Sequence, residues 1–475
     1  MDKKIQQQLQ TTVSDYASLL GRKPRACIVT FGCQMNARDS EKLRGVLDVS
    51  GFEITEEEDS DFILFNTCTV RENANTRLYG RLGKIKSYKK RNPLMMTALC
   101  CCMMQEPSAV DEIKRHYSFV DLIFGTMNLD SFPELLRELI LRRIHQMNGG
   151  QDHDNTLIAL QEEPGGEAED LPSRRNFPFK AGVNIMYGCN NFCSYCIVPY
   201  VRGRERSRQP ESILDEVRAL VDDGVREIML LGQNVNSYGK TLAKPISFAE
   251  LLERVCAQVG DRAQIRFMTS HPKDLSDELI GVMARCDQIC EHIHLPVQAG
   301  SDRILKAMNR HYTREDYLAL VKRLRDAMPD LSITTDIMVG FPGESEEDVE
   351  QTIELVREAG FDNAFTFLYS RRTGTPAAEM PDQIDEGTAA VWFDRVLAAV
   401  HDTAAERCAR FEGREMSVLV EQESRHGNGW LSGRISHNLL VHFRGPASWI
   451  GTVRPVRITE SKGFYLMGES MTDED

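Results

Sequence analysis

Thirteen cysteines stand among 475 residues, and two groups of three have types and spacing suited to chemistry. In Cys189-Asn190-Asn191-Phe192-Cys193-Ser194-Tyr195-Cys196 three thiols follow one another at CxxxCxxC spacing. Three thiolates can hold three corners of a [4Fe–4S] cluster and leave the fourth iron open for a small bidentate ligand. A structural zinc site wants a fourth Cys or His at matching spacing, and none follows closely. The second group is dispersed. Cys33 lies in Phe31-Gly32-Cys33-Gln34-Met35-Asn36, Cys68 in Asn66-Thr67-Cys68-Thr69-Val70-Arg71, and Cys102 in Cys102-Met103-Met104-Gln105. Dispersed cysteines are more often small core residues than ligands. These three, however, each lie a few residues beyond the end of a different predicted strand. In a parallel sheet such loops share the carboxyl edge, where ligands bind, so the three can converge on a second cluster. Cys100, Cys101 and Cys102 are adjacent, and spacing alone does not choose among them. Cys27, Cys100, Cys256, Cys286, Cys290 and Cys408 show no ligand spacing and read as packing residues.

The elements that must position these groups give an α/β multidomain chain. Residues 1–24 read as a polar helical N-terminal extension. In 25–145 the strand-like runs Ala26–Thr30, Phe62–Phe65, Leu94–Leu99 and Leu122–Phe124 alternate with helical stretches, which predicts a doubly wound parallel α/β domain. Residues 146–174, with Gly149-Gly150, Gly165-Gly166 and many acids, read as an acidic linker. Residues 175–410 carry six further strand–helix units, beginning at Val183–Met186, Glu227–Leu231, Gln264–Thr269, His292–Leu295, Ser332–Val339 and Asn363–Phe367. They predict a partial TIM-like (β/α)6 barrel. Residues 411–475 change to short β-type runs, Met416–Glu421, Leu439–Phe443, Thr452–Ile458 and Phe464–Met467, and predict a small β-barrel.

Composition limits the function classes. No apolar run reaches the roughly 20 residues that cross a bilayer, and Met1-Asp2-Lys3-Lys4 opens no signal peptide. A cytoplasmic protein without membrane contact is expected, and its reducing surroundings argue against a disulfide framework. The net charge of −14 disfavours non-specific attraction to nucleic acid, so RNA contact must come from local basic patches. Three candidates are Arg202-Gly203-Arg204-Glu205-Arg206-Ser207-Arg208, the run Lys84, Lys86, Lys89, Lys90 and Arg91, and the tail. In the tail Arg425, His426, Trp430, Arg434, His437, Arg444, Trp449, Arg454 and Arg457 intersperse cations with aromatics. The first reads equally as a solvated charged turn, and most of the second as a solvated helix face. The third suits single-stranded RNA, whose bases stack on side chains while phosphates meet Arg.

The CxxxCxxC array, with Tyr195 before its last cysteine, resembles the radical-SAM superfamily signature. The resemblance implies that the open iron at Cys189, Cys193 and Cys196 chelates S-adenosylmethionine, which is cleaved with an electron from a reducing electron-transfer protein. Strand ends of an open barrel are where such a ligand sits. Gly232 and Gln233 end the second strand, and Gly340, Gly343 and Glu344 end the fifth. All five are candidates for lining its pocket, and each also reads as a turn from strand to helix. Thr30-Phe31-Gly32-Cys33-Gln34-Met35-Asn36, followed by Asp39-Ser40-Glu41, and Asn66-Thr67-Cys68-Thr69-Val70-Arg71-Glu72 resemble the methylthiotransferases. The wording is that of the branch acting on N6-dimethylallyladenosine of tRNA. This resemblance covers about Arg25 to Met467 and implies a methylthiotransferase domain, a radical-SAM core and a C-terminal TRAM domain. It implies two [4Fe–4S] clusters, with Cys33, Cys68 and Cys102 as ligands of the auxiliary one. The family has Gly before the third of these ligands, where this chain has Cys101. The implied substrate is the anticodon stem-loop of tRNA, methylthiolated at adenosine 37 with two S-adenosylmethionine molecules. A carbon–hydrogen bond on an adenine ring has no useful acidity, which suits radical rather than general-base chemistry. Threonylcarbamoyladenosine of tRNA and ribosomal protein S12 are the alternative targets, and a non-catalytic iron–sulfur RNA-binding scaffold is the alternative from another class.

Overall fold

The computed structural model describes residues 1–69, 72–150, 156–161, 168–425 and 427–471. Val70 and Arg71 of the second cysteine motif, much of the acidic linker including Gly165-Gly166, His426 and the last four residues lie outside the described residues. The chain divides into two compact units, Met1–Asn176 with Ile197–Arg204, and Phe177–Cys196 with Glu205–Asp475.

The first unit contains α1 (Lys3–Leu20), β1 (Arg25–Thr30), α2 (Gln34–Ser50), β2 (Glu53–Ile54), β3 (Phe62–Thr67) and α3 (Glu72–Arg91). It continues with β4 (Met96–Cys101), α4 (Pro107–His116), β5 (Leu122–Phe124), α5 (Phe132–Met147), β6 (Leu157–Ala159) and the short α6 (Val198–Val201). The six strands form one sheet in the order β2-β1-β3-β4-β5-β6, with every pairing parallel. Strands β3, β4 and β5 are buried at every residue, as expected where helices cover both faces. The period-2 pleat sorts their side chains. Ala26, Ile28, Phe62 and Leu64 pack with α1, α2 and α5, whereas Cys27, Ile63 and Phe65 pack with α3 and α4. The chain reverses its winding between β1 and β3, the topological switch point of a doubly wound sheet.

Two stretches read as peripheral are built into this unit. The N-terminal extension is α1, capped by Asp2 and ended at Gly21 with φ 69°. Its Leu9, Val13 and Tyr16 are buried in the sheet core. A stripe of only three residues set among Gln, Thr, Ser and Asp had concealed it. Within the acidic linker, Leu157–Ala159 adds β6 to the sheet. Glu169 forms a buried ion pair with Lys42, and Leu171 joins the core. The apolar run is too short for periodicity to reveal it.

The second unit begins with β7 (Lys180–Asn184) and the antiparallel pair β8 (Met186–Tyr187) and β9 (Arg206–Ser207), followed by α7 (Pro210–Asp222), β10 (Glu227–Leu231), α8 (Phe248–Val259) and β11 (Gln264–Met268). Next come α9 (Asp277–Arg285), β12 (His292–His294), α10 (Asp302–Ala307), α11 (Arg314–Ala327), β13 (Ser332–Val339), α12 (Glu346–Ala359), β14 (Asn363–Leu368) and α13 (Glu386–Ala409). Strands β7, β10 and β11 form one parallel sheet and β12, β13 and β14 another. A parallel bridge from Ile265 to Ile289 links the two series. The result is the partial (β/α)6 barrel, with reciprocal capping boxes at Thr313–Asp316 and Ser345–Asp348 starting two of its helices.

Beyond it, β15 (Glu415–Glu423), β16 (Trp430–Arg434), β17 (Leu440–Arg444), β18 (Val453–Ser461) and β19 (Tyr465–Ser470) close into a five-stranded barrel. Its core includes Val418, Val420, Leu431, Phe443, Trp449 and Ile458. Strand β16 escaped the sequence reading because Trp-Leu-Ser-Gly-Arg has little apolar alternation. Among the described residues no helix is long and apolar enough to cross a membrane.

A buried charge cluster joins the two barrels of the second unit. Arg266, 3% exposed, donates from Nε to Glu227 at 2.7 Å and from its Nη atoms to the Ser436 and Ile435 carbonyls at 2.7 and 2.8 Å. Burial alone would raise the Glu227 carboxyl, but Arg266 and Lys180 hold it down to about 2. Replacing Arg266 by Met is therefore expected to cost about 3–5 kcal/mol, because Glu227 is left charged, buried and short of its partner. Urea unfolding of the variant checks this, and a further Glu227→Met replacement should recover much of the loss.

Candidate functional site

In the first unit the three dispersed cysteines sit at the carboxyl edge of the sheet. Cys33 is the N-cap residue of α2 just beyond β1. Cys68 follows the last residue of β3, and Cys102 the last residue of β4. Gly32 makes the approach of the first two loops possible. Its φ is 110°, and a Cβ there would lie 2.7 Å from Cys68 Cβ and 2.9 Å from Cys68 Sγ. Cys68 and Cys102 are buried and Cys33 is exposed. Burial raises the Cys102 thiol, Arg202 opposes the rise, and Cys101, Cys33 and Cys68 add to it. The sulfurs of Cys33, Cys68 and Cys102 thus share one electrostatic neighbourhood, with the Arg202 guanidinium as its cation.

Three gathered thiols suit a positively charged iron–sulfur core, which offsets their negative charges on ligation. Among the described residues no three His, Cys, Asp or Glu side chains gather as they would around a single metal ion.

Strand β4 runs two residues farther than the apolar run suggested. Cys100 and Cys101 are strand residues buried in the sheet core, whereas Cys102 packs apart from them against Ile197 and Val201. Cys101 has φ 73°, a conformation natural to glycine and strained for a side chain. The backbone keeps the geometry of a glycine site although the residue is Cys.

In the second unit the CxxxCxxC loop leaves β8 through Gly188 at φ 74° and turns at Phe192 at φ 47°. Its neighbours fix it at many points. Asn190 and Glu205 exchange hydrogen bonds, each backbone amide donating to the other's side-chain oxygen at 3.2 Å. Asn309 Nδ2 donates to the Asn191 and Phe192 carbonyls, and Ser194 Oγ to the Ala307 carbonyl. Arg310, 3% exposed, places Nη1 at 3.4 Å from Cys193 Sγ, while Nη2 donates to the Pro296 carbonyl at 2.6 Å and Nε to Tyr312 Oη at 2.8 Å. The Cys189 thiol is pushed up to about 11, first by burial and further by Cys193 and Glu205. As in the first unit, nearby thiols are paired with a buried arginine.

At the carboxyl ends of β10 and β11, Gln233 Oε1, Asn234 Oδ1, Asn236 Oδ1, Ser270 Oγ and His271 Nε2 are buried without a hydrogen-bond partner among the described residues. Orphaned polar atoms of this kind fit a polar ligand at the barrel mouth. His271 is held neutral, its pKa lowered to about 2 by burial, Arg310 and Lys273. Its Nδ1 accepts from the Lys273 amide, so Nε2 carries the proton and can donate. The structure thus separates the strand-end candidates. Gln233 carries one of these unsatisfied atoms, as do Ser270 and His271, which the sequence reading missed. A Cβ on Gly232 would meet Met186 Cγ at 2.7 Å, a packing role. Gly340 and Gly343 have φ of 82° and 77°, and Glu344 turns onto its own loop, accepting from the Gly340 and Phe341 amides.

The basic patches resolve differently. Arg202 and Arg208 are buried, and Arg208 donates to the Asn184 carbonyl and Glu216, while Arg204 is exposed and Arg206 half-buried, so the four arginines do not share one solvated face. The α3 run is a solvated face with ion pairs from Lys84 to Glu58, Lys89 to Asp121 and Arg91 to Asp59. In the small barrel Trp449 fills core, with Arg454 stacked 4.6 Å above its ring, and Arg444 covers Trp430 at 5.3 Å. Both tryptophans and Arg444 line a depression of about 640 Å³. His437 is buried against Glu291.

Residues 25–125 match the Uncharacterized protein family UPF0004, 183–356 the Radical SAM superfamily and 409–470 the TRAM domain. A protein of Lachnoclostridium phytofermentans named tRNA-2-methylthio-N(6)-dimethylallyladenosine synthase is 53% identical, over 97% of this chain and 98% of its own. Proteins of the same name from Alkaliphilus oremlandii and Clostridioides difficile are 50% and 48% identical, covering 94% and 98% of this chain and 93% and 95% of theirs. Among solved structures, a radical S-adenosylmethionine methyltransferase, TsrM, from Kitasatospora setae matches with a TM-score of 0.52 at 16% identity. The match covers 75% of this chain and 77% of that one and concerns the fold.

Two sets of replacements test this geometry. Cys101→Gly is expected to raise stability by about 1 kcal/mol through relief of the positive φ. Cys100→Ala should be mild for iron content, while Cys102→Ala should lose the iron of the first unit. Thermal melts and iron assays of the reconstituted variants read both effects, and iron loss in Cys101→Gly with retention in Cys102→Ala would move the site by one residue. Glu344 gives a pH test. Burial raises its pKa from 4.5 to about 7, so the folded chain keeps a proton that the unfolded chain releases. The stability from this group is full below about pH 4.5, falls as pH rises toward 7 and stays low above it. Glu344→Gln should flatten that slope and melt higher than the parent at alkaline pH.

Proposed function

The chain belongs to the tRNA-2-methylthio-N(6)-dimethylallyladenosine synthase family, and from that premise we propose that it methylthiolates N6-(dimethylallyl)adenosine at position 37 of tRNA, consuming two S-adenosylmethionine molecules. The observation that carries the reading is the pairing of two cysteine triads, each at strand ends and each beside a buried arginine, with membership of that family. Cys189, Cys193 and Cys196 would hold one [4Fe–4S] cluster with S-adenosylmethionine on its open iron. Cys33, Cys68 and Cys102 would hold an auxiliary [4Fe–4S] cluster. When bound, these groups supply radical chemistry able to break an unactivated carbon–hydrogen bond and the sulfur to be transferred.

The side chains do the rest. Gln233, Ser270 and His271 offer unsatisfied polar atoms to the polar end of S-adenosylmethionine, with His271 donating from Nε2. Arg310, Asn309 and Glu205 keep the CxxxCxxC loop from shifting. The small C-terminal barrel offers Trp430, Arg444 and Arg454 to the anticodon stem-loop by stacking and phosphate pairing. A reducing electron-transfer protein is the expected partner, and the cytoplasm, where tRNA matures, the expected compartment.

Anaerobically reconstituted protein should hold about eight irons per chain. It should convert tRNA already carrying the dimethylallyl group to the 2-methylthio product, read by nucleoside mass spectrometry. Replacing Cys189, Cys193 and Cys196 together by Ala should abolish S-adenosylmethionine cleavage while about four irons remain. Retained cleavage, or methylthiolation only of threonylcarbamoyladenosine or of ribosomal protein S12, would overturn the reading, and absence of any cleavage in the unmodified protein would favour a scaffold.

A further inference from the structure

Arg202 follows Cys196 by six residues but belongs to the first unit, where it is 5% exposed. Its Nη2 donates to Asn36 Oδ1 at 2.7 Å and to Asp39 Oδ2 at 2.8 Å. Both acceptors lie on the opening turns of α2, the helix that Cys33 begins. Asn36 is itself immobilised. Its Nδ2 donates to the Phe31 and Thr67 carbonyls, each at 2.8 Å, and its own carbonyl accepts from Asn66 Nδ2 at 2.8 Å.

Phe31 precedes Gly32-Cys33, and Thr67 precedes Cys68, so the amide of Asn36 ties the first two cysteine loops together. The same Oδ1 that receives Arg202 accepts from the Cys102 thiol at 3.8 Å. A thiolate at Cys102 has no proton to give, and Asn36 cannot turn its amide without breaking both carbonyl contacts. Its negative charge must then be met by a cation. The field of Arg202 reaches Cys102, Cys33 and Cys101, and the N-terminus of α2 adds the same sign at Cys33. Lysine keeps the charge as a compact point but lacks the planar, delocalised guanidinium whose Nη2 reaches both Asn36 and Asp39.

We propose that Arg202 is a positioning residue of the auxiliary site: anchored on Asn36 and Asp39, its guanidinium holds the three cysteine loops in register and supplies the buried positive charge against which Cys33, Cys68 and Cys102 bind an iron–sulfur cluster as thiolates. The inference rests on the reading of these three cysteines as cluster ligands and adds a residue that their spacing does not indicate.

The test uses full-length protein with Cys189, Cys193 and Cys196 replaced by Ala, so that the auxiliary site alone takes up iron. Arg202→Lys, Arg202→Gln and the double variant Arg202→Gln/Asp39→Asn are reconstituted anaerobically in that background. Iron content, thermal melting and the midpoint potential from an EPR-monitored titration are compared. The double variant removes both charges, so no carboxylate stays buried and unpaired. Arg202→Gln is expected to lose at least half of its iron and Arg202→Lys a smaller part. The double variant should lose iron or hold it at a more negative potential, because an electron is harder to add once a nearby positive charge is gone. Parental iron content and potential in the double variant would overturn the proposal. If the double variant melts before it can be loaded, parental iron content and potential in Arg202→Gln would overturn it instead, and a loss there that Arg202→Lys partly restores would support it. A parent without iron would overturn the auxiliary-cluster reading itself, and this inference with it.

Discussion

Thiols crowded at the buried ends of strands resist ionisation, because burial raises each one and every thiolate raises its neighbours. Cys102 and Cys189 both show the first effect, with neighbouring thiols adding to it. Each unit answers with an arginine that is itself buried and cannot swing away. Arg202 is pinned on Asn36 and Asp39, and Arg310 on Tyr312 and the Pro296 carbonyl. A cluster that brings its own positive charge would complete the compensation, which connects the arrangement of side chains to the chemistry proposed for it.

Both units reach this arrangement through the same backbone device. Parallel strands end together at one edge, and the loops beyond them carry polar groups that the sheet cannot satisfy. In the first unit Gly32 lets the loop after β1 close on Cys68. In the second, the ends of β10 and β11 leave Gln233, Ser270 and His271 unsatisfied. Behind the edge of the first unit lie strands buried at every residue, and the second unit holds the buried charge cluster of Glu227, Arg266 and Lys180. That cluster also fastens the small barrel to the larger one through the Ile435 and Ser436 carbonyls. The putting of RNA-type surface on the small barrel therefore does not require a loosely tethered module.

Most of the architecture was legible in the sequence. The alternation of apolar runs with helical stretches gave β1, β3, β4 and β5 of the six-stranded first sheet and the six strands of the partial barrel, since period and run length are local properties. The CxxxCxxC array was legible for the same reason, with all three thiols on one loop and their spacing set by the chain itself. Family wording carried the second triad to Cys33, Cys68 and Cys102, the last by its place before Met103, where spacing alone left Cys100, Cys101 and Cys102 equal. The structure adds that β4 extends through Cys101, with its positive φ, and that Cys102 lies just beyond it.

What the tertiary structure alone decided depends on contacts between residues distant in sequence. Helix α1 shows an ordinary polar surface until its narrow stripe meets the sheet. Strand β6 is three residues long and gains its meaning from pairing with β5. Arg202 reads as one more arginine in a basic run, because a run records charge but not which side of the chain is buried. Its partners Asn36 and Asp39 lie more than 160 residues earlier. Composition and spacing thus determine which groups can do chemistry here, whereas burial and long-range hydrogen bonding determine which of them are held where that chemistry is possible.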